Sequence, residues 1–247
     1  LGEKKFRAKQ VWEWLWQKHA MSFADMTNLS KDLRQKLGET FSFPALTVNS
    51  TQYSADGTVK TGFKTFDGHL VEGVLIPTEK RYTACVSSQI GCSLSCKFCA
   101  TGYIDRKRNL NFDEIYDEVV LINQQSERIY NHKLTNIVFM GMGEPLLNYK
   151  NVLKAIERIT APDGLAMSAR RITVSTAGVA KQIKQLGDDQ VKFKLAFDHM
   201  CPLFMDVLVF RQYCPFFKRN MTKSELVRMM EGTMDSRQEF YMRGVFI

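Results

Sequence analysis

A chain of 247 residues, 45% hydrophobic and 24% charged, has the composition of a globular protein and is long enough for one large core or two smaller ones. No stretch approaches 18 uncharged apolar residues, which excludes a transmembrane helix; the polar, basic first ten residues predict no signal peptide, so we expect a cytoplasmic protein with no membrane partner. The 34 basic and 26 acidic residues give a formal charge of +8, which favours a polyanionic partner such as nucleic acid, although solubility alone would also explain it.

Residues 1–43 predict a small helical domain. Val11 with Leu15, and Leu33 with Leu37, repeat apolar residues at helical spacing, and Ser30 is a suitable N-cap for the second helix. Many of the other positions are basic: Lys4, Lys5, Arg7, Lys9, Lys18, Lys31, Arg34 and Lys36. Such a surface favours RNA docking, and an ordinary solvated helix face is the alternative.

Residues 44–81 change to strand-like alternation. Asp56-Gly57 and Asp67-Gly68 stand between short β-prone runs, and this dipeptide is a strong signal for a hairpin turn. We predict a three-stranded β-meander that ends near Pro77.

From Arg81 the chain alternates strands and helices. The predicted strands are 83–87, 136–140, 172–175 and 192–197, and the predicted helices are 113–129, 149–159 and 179–186. Asp113 is the expected cap of the first of these helices. The alternation indicates right-handed crossovers and a parallel sheet, either doubly wound or a barrel. The predicted class is α/β over residues 82–247, although no fold is predicted once the alternation fails after residue 197.

Four of the six cysteines fall between residues 85 and 99, and three of them form a C-x3-C-x2-C triplet, Cys92, Cys96 and Cys99. Clustered cysteines in a chain with no secretion signal point to a metal site rather than to disulfides. Three thiolates on one short loop can bind three irons of a cubane cluster and leave the fourth iron open. One alternative is structural zinc completed by Cys85, although the usual C-x2-C pairs are absent. A thioredoxin-like motif is another, and it would leave Cys92 unexplained.

The triplet and its surroundings resemble the RlmN/Cfr family of radical-SAM RNA methyltransferases. Matching segments follow in the family's order at 6–14, 26–30, 83–92, 98–102, 108–110, 139–148 and 171–176. The resemblance covers about residues 2–196. It implies that residues 1–43 are the family's RNA-binding domain and that residues 82–247 form a partial (β/α) radical-SAM barrel.

The resemblance implies two cofactors, a [4Fe–4S] cluster and S-adenosyl-L-methionine (SAM). Cys92, Cys96 and Cys99 would hold the cluster. Gly143 and Glu144, in a segment that reads Gly141-Met-Gly-Glu-Pro145, would hold the amino group of SAM, and Ser175 another polar edge of it. These positions fall at the carboxyl ends of predicted strands, where barrel enzymes have their active sites. A plain tight turn is the alternative for the two glycines.

Two further residues match catalytic positions of the family. Cys85 matches the cysteine that releases the methylated product by forming a disulfide with a methyl-carrying cysteine. Glu72 matches the proposed proton acceptor at the adenine carbon. The alternatives are a small buried strand residue for Cys85 and a solvent-facing residue of the meander for Glu72.

The resemblance implies methylation of C2 of adenosine, in large-subunit rRNA and beside the anticodon of some tRNAs. C2 methylation is favoured over the C8 chemistry of the Cfr enzymes by overall similarity. The implied partners are rRNA, tRNA and an electron donor such as flavodoxin or ferredoxin, and we expect a monomer. The target base would have to leave its stack to react.

The match ends after Ala196. His199 would align with the family's SAM-contacting histidine only if one residue were missing, and neither Cys201 nor Cys214 has the sequence context of the methyl carrier. One hypothesis is a truncated relative that binds RNA or SAM without transferring a methyl group, and a residual RNA-binding module is its simplest form. The other is that Cys201 or Cys214 serves as the carrier.

Overall fold

The computed structural model describes residues 1–41, 46–96 and 99–197. The helices are α1 (Lys5–Trp16), α2 (Lys31–Thr40), α3 (Phe112–Tyr130), α4 (Tyr149–Thr160) and α5 (Ala180–Asp188). The strands are β1 (Thr47–Tyr53), β2 (Val59–Lys64), β3 (Leu70–Thr78), β4 (Arg81–Cys85), β5 (Gln89–Ile90), β6 (Arg108–Asn109), β7 (Asn136–Phe139), β8 (Ile172–Thr176) and β9 (Lys194–Phe197). The predictions for His199, Cys201 and Cys214 fall outside the described residues.

The first two helices form a small hydrophobic cluster of their own. Met26, Leu29, Leu33 and Leu37 are buried together there. The predicted N-cap of α2 is confirmed, because the Ser30 side chain accepts a hydrogen bond from the Leu33 backbone N–H at 3.3 Å.

The predicted meander is confirmed, and it belongs to a larger sheet. The order is β1-β2-β3-β4-β7-β8-β9, antiparallel from β1 to β4 and parallel from β4 to β9. The α/β class and the parallel strands predicted after Arg81 are therefore confirmed. The division of the chain at residues 43 and 81 stays a prediction, since residues 42–45 are not described and the β3–β4 hairpin crosses the second boundary.

One face of this sheet packs against α3 and α4 in the main core. Ala84, Ile137 and Val174 of the sheet are buried with Ile115 and Val119 of α3. Burial of the valine and isoleucine side chains among them contributes roughly 1.5–3 kcal/mol each. Within the described ranges, no helix is both long and apolar enough to cross a membrane.

The predicted cap of α3 is wrong by two residues. Helix α3 is capped by Asn111 rather than Asp113. The Glu114 side chain reaches back to accept the Asn111 backbone N–H at 2.8 Å, as in a capping box. Asp113 instead lies in the first turn, where the positive end of the helix dipole stabilises a carboxylate.

Helix α1 docks on the main core through aromatic rings. Trp16 packs edge-on against Tyr116 with centroids 5.1 Å apart, and its carbonyl accepts the Tyr116 hydroxyl at 2.7 Å. Trp12 donates its indole N–H to Asp163 at 2.9 Å, and the Arg158 guanidinium lies over both tryptophan rings. The N-terminal helix is thereby fixed to α3 and to the end of α4.

Candidate active site

The predicted catalytic side chains lie on the face of the sheet opposite to α3. Residues directly opposed in a ladder share a face, and so do alternate residues of one strand. Val74 opposes Cys85, and Glu72 is two residues from Val74, so Glu72 and Cys85 share a face. The ladders of β4, β7 and β8 carry the same face on to Ser175. We call this the open face of the sheet.

Gly143 and Glu144 form the turn that follows β7, at the carboxyl end of the strand. The Glu144 carboxylate is 3% exposed and accepts the backbone N–H of Leu146 at 2.9 Å and that of Ala177 at 2.8 Å. It therefore ties the ends of β7 and β8 together. A carboxylate can accept about four hydrogen bonds, so these contacts are compatible with binding an ammonium group. We call residues 141–144 the glycine turn.

Ser175 lies on β8 close to the glycine turn and is also buried. Its hydroxyl donates to the Phe139 carbonyl at 2.8 Å. The hydroxyl oxygen can still accept a hydrogen bond, as a contact with a polar cofactor edge would require.

The cysteine loop, residues 91–104, begins directly after β5. The Cys92 backbone N–H donates to the Ile104 carbonyl at 3.1 Å, so the two ends of the loop meet. Gly91 has φ +72°, and a Cβ there would overlap the Asp105 backbone. Only glycine permits both this left-handed conformation and this close approach.

The three loop cysteines are the candidate ligands of an iron–sulfur cluster. All three cysteines are half-buried, and the pKa of Cys92 is raised chiefly by burial and also by the neighbouring Cys99 and Glu144. In the described ranges, no three His, Cys, Asp or Glu side chains are placed to bind one ion together. Tetrahedral zinc requires its ligands to meet at one point, whereas each cysteine of a cubane binds a different iron.

Cys85, the last residue of β4, is set apart from the cysteine loop. Burial raises the pKa of its thiol to about 12, with the nearby Glu118 carboxyl also raising it. Glu118 on α3 is itself fully buried, and burial raises its pKa well above the ordinary value. Both Glu118 oxygens accept the Ser87 backbone N–H, at 3.1 and 3.2 Å. The Cys85 thiol is thus protonated at neutral pH, and the zinc alternative that used it gains no support.

Glu72 is exposed on the open face and paired with a lysine. Its Oε1 lies 2.9 Å from Lys60 Nζ on the neighbouring strand. The Glu72 side chain is half exposed and that of Lys60 is two-fifths exposed. An exposed ion pair contributes little to stability. Its backbone carbonyl accepts the Ser87 hydroxyl at 2.6 Å, which fixes this point of β3 next to the residues after Cys85.

Strands β5 and β6 bring a second motif to the site. Arg108 on β6 donates to both oxygens of Asp67 at 2.6 and 3.0 Å, and to both oxygens of Glu114 at 2.7 and 2.8 Å. These contacts hold the β2–β3 turn to the start of α3. Beside it, Asn109 accepts from Arg106 at 3.0 Å and from Gln89 at 2.7 Å.

The sequence predicted no role for several residues of this site. Lys60 occupies a polar position of an alternating strand, and any solvent-exposed lysine would fit that pattern. Glu118 occurs within a helical pattern, and its burial in the core gave no sequence signal. Gln89 stands inside the 83–92 segment, yet its partners lie elsewhere in the chain.

Comparison with known proteins identifies two matching families. Residues 1–42 match the family model described as the ribosomal RNA large subunit methyltransferase N-terminal domain. Residues 86–208 match the radical SAM superfamily. The two matched segments contain α1 and α2 in the first case, and the cysteine loop and glycine turn in the second.

Curated relatives are similar over most of this chain. The probable dual-specificity RNA methyltransferase RlmN of Cytophaga hutchinsonii is 62% identical over 195 residues, which cover 79% of this chain and 53% of the relative. The protein with the same description from Christiangramia forsetii is 58% identical over 195 residues, 79% of this chain and 55% of the relative. The chain thus spans about half the length of the curated relatives it matches.

A solved structure is similar in fold. The crystal structure of a radical SAM methyltransferase from Sphaerobacter thermophilus has a TM-score of 0.74 and 35% sequence identity, and the match covers 92% of this chain and 65% of that one. The predicted radical-SAM fold is confirmed by this similarity.

Proposed function

Because this chain belongs to the RlmN/Cfr family of radical-SAM RNA methyltransferases, we propose that it places a methyl group on C2 of adenosine in large-subunit rRNA and some tRNAs. One observation carries the proposal. The glycine turn follows the carboxyl end of β7, the cysteine loop follows β4 by way of the short strand β5, and the open face of the main sheet bears Cys85 and Glu72. Barrel enzymes assemble their reacting groups at this end of the strands.

The cofactor contacts follow from the positions of the side chains. Cys92, Cys96 and Cys99 would each bind one iron of a [4Fe–4S] cluster. The glycine turn, through Gly143 and Glu144, would bind the amino group of SAM, and Ser175 would bind another polar edge. With its cluster reduced, this pair of cofactors supplies a carbon radical able to remove a hydrogen atom from a methyl group.

Two residues of the open face would act on the substrate. The Glu72 carboxylate is exposed on that face and would accept the proton that leaves the adenine carbon. The Cys85 thiol must lose its proton before it can attack the sulfur of a methyl-carrying cysteine. That attack forms a disulfide and breaks the bond between the carrier sulfur and the methylene carbon, which leaves with the electron pair and takes a proton to become the methyl group.

The partners and surroundings belong to the same proposal. The basic first region, residues 1–43, would dock rRNA or tRNA, whose phosphates attract Lys and Arg side chains. An electron donor such as flavodoxin or ferredoxin would reduce the cluster, and the chain would act as a monomer in the cytoplasm, where its RNA substrates are. The barrel would be residues 82–247, with the meander of 44–81 between the two.

Anaerobic reconstitution tests the proposal. The protein is supplied with iron and sulfide, reduced with dithionite in the presence of SAM and an rRNA fragment, and assayed for iron, 5′-deoxyadenosine and 2-methyladenosine. Cys96→Ser is the control, and it is expected to lose the cluster and both products. A wild-type protein that binds zinc and no iron contradicts the proposal.

The divergence after Ala196 favours a second candidate, a family member that binds RNA and SAM without methyl transfer. The family's carrier context is absent around Cys201 and Cys214. The same assay separates the two candidates, because 5′-deoxyadenosine without 2-methyladenosine is the result expected of the second.

A further inference from the structure

Gln89 is a fully buried amide at the centre of the candidate site. It occupies β5, three residues before Cys92, and its side chain has no solvent exposure. A buried amide is costly unless both its oxygen and its nitrogen find partners. The partners of Gln89 therefore show what this position of the chain is built to hold.

Both ends of the amide reach parts of the site that are distant in sequence. Its Oε1 accepts the backbone N–H of Glu144 at 2.9 Å, and its Nε2 donates to Asn109 Oδ1 at 2.7 Å. The orientation of the amide is fixed, because a backbone N–H can only donate and must therefore face the oxygen. The Gln89 backbone N–H also donates to the Met142 carbonyl at 3.1 Å. One residue thus contacts the glycine turn twice.

The glycine turn is shaped around this side chain. Gly143 has φ +90°, and a Cβ at this position would overlap the Gln89 side chain, with Cγ at 2.6 Å and Oε1 at 2.8 Å. The methylene groups of Gln89 therefore lie directly against the Gly143 backbone. The next N–H, that of Glu144, points at the amide oxygen. Contact and hydrogen bond together determine the direction in which the Gly143–Glu144 backbone runs.

We propose that Gln89 is a positioning residue, which holds the Gly143–Glu144 backbone in its SAM-binding conformation and links it to the start of the cysteine loop. This inference rests on the proposed function, since it assumes that Gly143 and Glu144 bind SAM. The link ensures that the thiols and the turn keep one mutual arrangement, so cluster and cofactor meet without a rearrangement of the backbone. Preorganisation of this kind lowers the cost of binding.

The test compares buried amides in the anaerobically reconstituted full chain. Gln89→Met preserves the length of the side chain and removes both hydrogen bonds. Gln125→Met is the matched control, because Gln125 is also buried and hydrogen-bonded, to Thr61 at 2.9 Å, on α3 away from the glycine turn. The measurements are iron content, the thermal transition, the dissociation constant of SAM, and the change that SAM produces in the electron paramagnetic resonance spectrum of the reduced cluster.

We expect Gln89→Met to keep its iron and to bind SAM about tenfold more weakly than wild type, the factor that one unmade hydrogen bond produces. The spectral change on adding SAM should be diminished in the same protein. Gln125→Met should lower the thermal transition by a similar amount and bind SAM as wild type does. Equal SAM affinity in wild type and Gln89→Met, or an equal loss in both variants, overturns the inference.

A second variant decides the matter if Gln89→Met does not fold. Gln89→Glu keeps an oxygen for the Glu144 N–H, loses the donor to Asn109 and places a carboxyl group in a buried site. It is expected to retain iron and to bind SAM a few-fold more weakly than wild type, since the Glu144 contact survives while its anchor is lost. Wild-type affinity in this variant contradicts the inference. Failure of the proposed cofactor sites gives a different result, because the wild-type chain would then bind neither iron nor SAM. Failure of methyl transfer alone appears as missing 2-methyladenosine and leaves the comparison of SAM affinities unchanged.

Discussion

Replacing Arg108 with methionine tests whether the β2–β3 turn is held to α3 by charge. Arg108 makes four hydrogen bonds, two to Asp67 and two to Glu114. The Glu114 side chain is 2% exposed, whereas those of Arg108 and Asp67 are about one-quarter exposed. Arg108→Met keeps the apolar stem and leaves Glu114 as a buried carboxylate that still accepts the Asn111 backbone N–H.

The expected loss follows from the burial of Glu114. Removing one partner of a buried ion pair costs roughly 3–5 kcal/mol, because the other charge is left uncompensated. Water reaches the Asp67 side of this cluster and screens its charge, so we expect a smaller cost than for a fully buried pair, about 2–3 kcal/mol of unfolding free energy. For a chain of this size that corresponds to a fall of roughly 5–10 °C in the melting temperature.

The assay is urea and thermal unfolding followed by circular dichroism, with two reference variants. Lys133→Met breaks an exposed pair, in which Lys133 Nζ lies 3.9 Å from Glu127, and should cost less than about 0.5 kcal/mol. Adding Glu114→Gln to Arg108→Met removes the stranded charge and should restore about 1–2 kcal/mol. The reasoning is refuted if Arg108→Met is no more harmful than Lys133→Met, or if the second change destabilises the protein further.

Gly73→Ala should lower the unfolding free energy, measured by urea titration, by about 1–3 kcal/mol, because its Cβ would lie 2.7 Å from Glu118 Oε1 in a packed core. Gly38→Ala is the control: its Cβ would meet nothing closer than 3.9 Å. It should be neutral or add up to ~1 kcal/mol in the same titration. The pKa of Glu118 is raised in the folded state. Its contribution to the free energy of unfolding is therefore fully present below its unfolded-state pKa of about 4.3 and is lost as the pH rises through its folded-state pKa. Glu118→Gln should therefore gain stability relative to wild type as the pH increases. A difference in melting temperature between the two proteins that stays the same at all pH values would contradict this. Cys85, with a pKa of about 12, should react with iodoacetamide at neutral pH more slowly than the loop cysteines of iron-free protein, as mass spectrometry of the labelled peptides would show.

The elements with strong local signals were predictable. Strands β7 and β8 are short segments rich in β-branched residues between helices of clear 3.6-residue period, and they differ from the predicted limits by one residue at one end. The turns at Asp56-Gly57 and Asp67-Gly68 were predictable because the Asp-Gly dipeptide alone favours a hairpin turn. Asn111 could also have been identified as the cap of α3, because Asn-x-x-Glu is the capping-box spacing and it precedes an apolar run.

The contacts within the site could not be predicted, because they join residues that are far apart in sequence. Gln89 bonds Glu144 across 55 residues, and Arg108 bonds Asp67 across 41. Strands β5 and β6 have two residues each, too few to show a period. The spacing of the cysteines indicated a metal site, and the resemblance supplied the role of the glycine turn. The side chains that hold them in place become visible only when the chain is folded.

The aromatic docking of α1 has a consequence for how a large substrate would be handled. With Trp16 seated against Tyr116 and Trp12 bonded to Asp163, the N-terminal helix cannot swing as a tethered module would. Under the proposed function, an RNA bound by the lysines of this helix would reach the sheet at a fixed angle. Targets would then be selected by the distance between the bound phosphates and the reacting base. Recognition would then depend more on the three-dimensional structure of the RNA than on its nucleotide sequence.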